Sequence, residues 1–169
     1  MGESSIMGEL ICRDNLEVLC DWYSQGKREF IDLIYIDPPF GNNMDKEWGL
    51  KWNKVEDYTN WMYPRVYLMK EMLKPTGSFY YHCDPTASHY IKMMLDMIFG
   101  MDNFRNEIVW CYTGPSAAKR YFPEKHDVIF LYTKSDNYTF NPDLVRIPYK
   151  GGAPAAQGPN RKWVDNEEE

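Results

Sequence analysis

An excess of positive charge is the first thing this 169-residue chain lacks: 19 Lys and Arg stand against 25 Asp and Glu, a net charge of −6. A free-standing nucleic-acid-binding module draws heavily on Lys and Arg contacts to phosphate, so the balance argues mildly against one. Cysteine is also scarce. Cys12, Cys20, Cys83 and Cys111 are scattered, with no CxxC pair. They read as buried thiols in a reducing cytoplasm rather than as disulfides or a zinc site, which points to a cytoplasmic protein. No apolar run approaches a membrane span, and the opening MGESSIMGEL does not read as a signal peptide. Low-complexity tracts are missing. His82-Cys83 with His89 makes a poor metal set, and the three read better as strand and helix-start residues, so no metal is assigned. Aromatic residues, by contrast, make up 16% of the chain. At this length one domain with a sizeable core is expected.

The most informative stretch is IDLIYIDPPF, Ile31 to Phe40. The apolar, β-branched run Ile31 to Ile36 reads as a buried strand. It ends at Asp37-Pro38-Pro39-Phe40. Two prolines fix their own φ angles and remove two N–H donors, and each pushes the residue before it towards extended geometry. The product is a stiff turn at the carboxyl end of a strand, where ligands bind in open α/β sheets. Ionised Asp37 and the Pro38 carbonyl only accept hydrogen bonds. Two acceptors on a rigid backbone suit a group with two N–H donors, such as the exocyclic amine of a base. Phe40 offers a flat face on which a base can stack.

Around that turn the chain alternates. Short strands are expected at Leu10 to Cys12, Ile31 to Ile36, Gly77 to Cys83, Asn106 to Tyr112 and Asp127 to Thr133. Helices are expected at Asn15 to Tyr23, at Asp57 to Leu73 with Pro64 inside, and at Thr86 to Phe99. In the last, Tyr90, Met93, Met94, Met97 and Ile98 form an apolar face that reads as core. Alternation implies an α/β fold: a mainly parallel sheet with helices on both faces and an antiparallel end strand, since the last two strands lack a helix between them. Residues 1–150 read as the folded part, and 151–169 as a linker or the start of a further region.

The DPPF tetrapeptide resembles the (D/N/S)PP(Y/F/W) motif of amino-methyltransferases that use S-adenosylmethionine. From about Gly8 to Lys150 the chain is similar to bacterial site-specific adenine-N6 DNA methyltransferases, in the permuted group where this motif comes early. Ile11-Cys12-Arg13-Asp14-Asn15, Leu73-Lys74-Pro75-Thr76-Gly77-Ser78, Tyr81-His82-Cys83-Asp84, Asn103-Phe104-Arg105-Asn106-Glu107 and Lys125-His126-Asp127 resemble further blocks of that group, in order and spacing. Asp in the first position of the motif resembles the adenine version more than the cytosine-N4 version, which is the alternative. The resemblance implies a Rossmann-like methyltransferase fold, a flipped adenine in double-stranded DNA as substrate, and S-adenosylmethionine as methyl donor.

One departure stands out. The cofactor motif of that group, a strand followed by F-x-G-x-G, is absent, and no two glycines here form G-x-G. The reading is therefore an incomplete methyltransferase fold: a fragment, a truncation or one half of a split enzyme. It is expected to need a complementary cofactor-binding part or a second copy, and a restriction subunit is a further possible partner. A non-catalytic remnant is the opposing reading. Protein-glutamine and RNA amino-methyltransferases are disfavoured, because they place the cofactor glycines before the motif.

By this resemblance Asp37, Pro38, Pro39 and Phe40 hold the target base. Asp37 and Asp14 face the cofactor, although Asp14 reads equally as the cap of the helix from Asn15. Tyr80, Tyr81 and His82 line the base pocket. Trp48, with Trp52 on the same loop, contacts DNA or covers the pocket, against a local hydrophobic cluster. Lys119, Arg120, Lys125 and His126 contact phosphates, against a merely solvated loop. Between Arg105 and Lys150 seven Lys and Arg face five Asp and Glu, locally +2.

Overall fold

The computed structural model describes residues 8–40, 52, 54–115 and 118–145. They form β1 (Ile31–Ile36), β2 (Leu73–Cys83), β3 (Phe104–Cys111) and β4 (His126–Thr133), with α1 (Asn15–Ser24), α2 (Val55–Met72), α3 (Pro85–Phe99) and a single 3₁₀ turn, Met101–Asn103. The chain divides into two compact units, Met1–Thr139 and Phe140–Glu169; the second contains a short helix, α4 (Pro142–Val145).

The sheet order is β1-β2-β4-β3. β1 pairs parallel with β2, while β4 runs antiparallel to both β2 and β3. Three strands thus share a direction and β4 alone is reversed. The reversed strand was expected at the end of the sheet; it is inserted between β2 and β3 instead. Helices were expected on both faces, whereas among the described residues α1, α2 and α3 share one core with one face. The hand of the crossovers explains this. β1-α2-β2 and β2-α3-β3 step across the sheet in the same direction, and right-handed connections stepping the same way pass over the same face.

That face carries Phe79, Tyr81, Cys83, Val128, Phe130 and Tyr132, all at most 3% exposed, against Tyr58, Met62, Val66, Met69 and Met72 of α2 and Ile91, Met94, Leu95, Ile98 and Phe99 of α3. β1 is an edge strand here rather than the buried strand expected: Leu33 and Tyr35, on the face away from the helices, are about half exposed at 56% and 50%. The α3 stripe also splits. Met94 and Ile98 enter the core, but Tyr90, Met93 and Met97 are exposed and line a cleft with Thr59 and Tyr63 of α2. An apolar stripe on a helix lying beside another helix is wider than the strip the core can cover. Residues 10–12 form no strand, and none of the four described strands pairs with them.

Local chemistry sets the ends. Asp84 caps α3 by accepting from the Thr86 and Ala87 N–H groups, Pro85 opens the helix where its missing N–H is not needed, and Gly100 closes it at φ +91°. Pro64 lies inside α2 without ending it. Between Leu73 and Ser78 the β1–β2 register jumps, and Lys74 to Gly77 form a bulge. Gly77 is required there: a Cβ would stand 2.6 Å from Leu73 Cγ and 3.1 Å from the Asp32 carbonyl.

Candidate active site

The carboxyl ends of β1, β2 and β3 meet the start of β4 at one edge of the sheet, so four separate stretches deliver side chains to one place. β1 delivers Asp37 and, after two prolines, the half-buried Phe40. β2 delivers His82, Cys83 and Asp84. β3 delivers Trp110, and β4 delivers Asp127.

His82 sits at the centre. Its Nδ1 lies 3.1 Å from Asp37 Oδ1 and its Nε2 lies 3.3 Å from Asp127 Oδ2, and its side chain is only 6% exposed. Neither contact has hydrogen-bond alignment, so both ring nitrogens are buried and unsatisfied. The Phe40 ring meets the imidazole edge-on at 5.4 Å, and Trp110 lies 5.8 Å away on a tilt. Asp37 itself is open to solvent over 58% of its side chain. An accessible carboxylate and an aromatic ring that meet the same histidine, on a turn whose two prolines have no N–H, offer hydrogen-bond acceptors and a stacking face together.

The other expected site residues fall differently. Tyr81 was placed in the base pocket; it is fully buried on the helix side, and its hydroxyl bonds Tyr58 Oη at 2.9 Å. Strand alternation sends its neighbours Tyr80 and His82 to the open face instead. Asp14 caps α1 through the Leu16 N–H at 2.7 Å and pairs with Arg65 at 3.0 Å. Burial raises its pKa, but the Leu16 N–H and the Arg65 guanidinium outweigh that and hold it below the usual carboxylate range. Trp52 is buried against Tyr58 and Trp61, the local hydrophobic cluster weighed in the sequence. Trp48 lies outside the described residues.

Lys119 and Arg120 are exposed, beside the exposed rings of Tyr121 and Phe122. Lys125 donates to the Pro115 carbonyl at 3.0 Å, and its own carbonyl accepts from the Tyr112 N–H, closing the base of the β3–β4 loop. Cys83 is buried. Its burial, with Asp84, Asp127 and Glu107 nearby, pushes the thiol up to about 12, which leaves it unreactive. Sequence reasoning missed Asp127 and Trp110 as members of the cluster. The block Lys125-His126-Asp127 was the available signal for the first.

A family model described as DNA methylase matches residues 31–166. The chain belongs to the DNA methylase family. It is 31% identical over 147 residues to the type II methyltransferase M.HpaI of Haemophilus parainfluenzae, covering 83% of this chain and 44% of that protein. It is 30% identical over 133 residues to the DNA adenine methyltransferase YhdJ of Escherichia coli K12, covering 76% and 43%. This DNA methylase chain therefore spans less than half the length of those relatives. Among solved structures, the cytosine-N4-specific PvuII DNA methyltransferase superposes with a TM-score of 0.57 at 18% identity, over 75% of this chain and 48% of that one. At that identity the likeness carries the fold and nothing more. Solved structures of like fold include S-adenosylmethionine complexes, and the curated matches include Mod subunits of type III restriction-modification enzymes.

Proposed function

We propose that this DNA methylase chain is the target-base part of an enzyme that transfers a methyl group from S-adenosylmethionine to N6 of an adenine in double-stranded DNA. One observation carries the reading. The Asp37 carboxylate stands exposed at the carboxyl end of β1, on a two-proline turn whose Phe40 ring meets the same His82 that Asp37 approaches. Asp37 and the Pro38 carbonyl accept from the two N–H donors of the amine of a base swung out of the duplex, and Phe40 stacks on its ring. Those bonds hold the nitrogen lone pair out of conjugation and direct it away from the protein. S-adenosylmethionine, when bound, supplies an electrophilic methyl group, and Asp37 and the half-exposed side of Asp14 are the residues of this chain suited to face it. The amine nitrogen attacks directly, so positioning and fixed charge do the catalytic work and no protein nucleophile is required.

Asp as the first residue of the motif, and the printed activity of YhdJ, support adenine over cytosine N4. The open β1 edge, with Leu33 and Tyr35 half exposed, supports a complementary cofactor-binding part beside it. The Mod-subunit matches support association with a restriction enzyme. Asp37→Ala in the complete enzyme is expected to abolish N6-methyladenine formation in DNA, measured by chromatography of digested product. Near-wild-type turnover would remove Asp37 from the chemistry.

A further inference from the structure

We propose that His82 is the positioning residue for Asp37: it forms the middle of an Asp37–His82–Asp127 chain that fixes which carboxylate oxygen is presented to the amine. The inference rests on the methyltransferase reading for its purpose, but its geometry stands on its own. β2 is flanked by β1 on one side and β4 on the other. The register Ile36↔Tyr81 brings the next residue of β1's strand, Asp37, alongside His82. The antiparallel register Cys83↔Val128 brings Asp127 to the same end from the other side. The central histidine thus has a carboxylate on each flank, at 3.1 and 3.3 Å, one 58% and the other 17% exposed.

A histidine that only filled space would have its nitrogens satisfied by fixed groups or lie against apolar side chains alone. His82 does neither. Its ring is enclosed, with Phe40 and Trp110 against it, and its two nitrogens reach carboxylates without aligning to them. Such contacts can be long without substrate and tighten when it binds. The carboxylate open to substrate here is that of Asp37. With Oδ1 turned to Nδ1, Oδ2 is left to accept from the amine. An imidazole with one proton can donate to only one of the two carboxylates, whereas the imidazolium donates to both and is then held in plane between Asp37 and Asp127.

Two measurements test this. The chain has three histidines, so ¹⁵N NMR resolves His82 once His82→Asn identifies its signals. Asp37→Asn should shift the His82 Nδ1 resonance and Asp127→Asn its Nε2 resonance, with His89 unmoved in both. A His82 spectrum indifferent to Asp37→Asn would overturn the proposal, and this needs no activity. In the complete enzyme, His82→Ala and His82→Gln should lower kcat about a hundredfold, with KM for DNA and for S-adenosylmethionine near wild type. His82→Asn, whose amide nitrogen stands near the place of Nδ1, should restore most of the loss. Wild-type kcat in His82→Ala, or rescue by Gln rather than Asn, would refute a positioning role. A wild-type enzyme that methylates nothing would sink the functional reading and leave the NMR result to decide the contact.

Discussion

Tyr81 offers a quantitative test of how the site is supported. Its hydroxyl meets that of Tyr58 at 2.9 Å, with both side chains fully buried between β2 and α2. Burial pushes both phenols well up, so both stay as neutral hydroxyls across the working range. Tyr81→Phe removes one partner and leaves the Tyr58 hydroxyl stranded without water, which costs about 1–3 kcal/mol. Tyr58→Phe should cost a similar amount from the other side. Removing both hydroxyls leaves no stranded polar group, so the double variant should be much less destabilised than the two single losses added together.

The assay is urea unfolding of the four proteins in parallel. With a slope of roughly 2 kcal/mol per molar, a loss of about 2 kcal/mol moves the midpoint down by about 1 M at unchanged slope. The double variant should sit within a few tenths of a molar of wild type, by the same slope. Additive losses would mean that the two hydroxyls do not depend on each other. A Tyr81→Phe variant of unchanged stability but weakened DNA binding would refute the buried placement and return Tyr81 to the base pocket.

Two further outcomes follow from particular contacts. Gly77→Ala should destabilise by about 1–3 kcal/mol, because the new methyl meets Leu73 and the backbone of the adjoining strand; unchanged thermal stability would mean the bulge is not the tight packing described. Asp96 gives a pH dependence. Burial raises its carboxyl, but hydrogen bonds from Lys92 and Tyr132 outweigh this and hold it low. A carboxyl lower in the folded than in the unfolded chain stabilises above its unfolded pKa, and that contribution is lost as pH falls through the folded value. Asp96→Asn should therefore flatten the decline of stability at pH values below the ordinary carboxylate range, as followed by melting temperature against pH. An acid limb as steep as wild type would mean Asp96 contributes nothing to it.

Where the sequence was readable, the determinants were local. The helix from Asp84-Pro85 to Gly100 was foreseen to within a residue because its cap, its first-turn proline and its closing glycine are all in the sequence. The strand that ends at Asp37 was foreseen because prolines stop a strand wherever it goes. What failed depended on which side the helices take. Phe79, Tyr80, Tyr81 and His82 alternate faithfully, but both faces carry aromatic rings, so the pattern does not say which pair is buried. Ile31 to Ile36 reads as buried on both sides for the same reason: apolar residues on each face look alike whether or not anything covers them.

The handedness of the crossovers resolves both cases, and it also accounts for the site. With α2 and α3 forced onto one face, odd-numbered Phe79, Tyr81 and Cys83 become core, and His82 is left on the other face at the end where Asp37 emerges. Reversal of β4 then matters chemically as well as topologically. A fourth strand running parallel to β2 would present its carboxyl end at this edge, whereas the reversed strand presents its beginning, and with it Asp127. The acid behind His82 is there because one strand runs the wrong way, and that arrangement depends on contacts 45 residues apart in sequence, from His82 to Asp127, which no local pattern around either residue encodes.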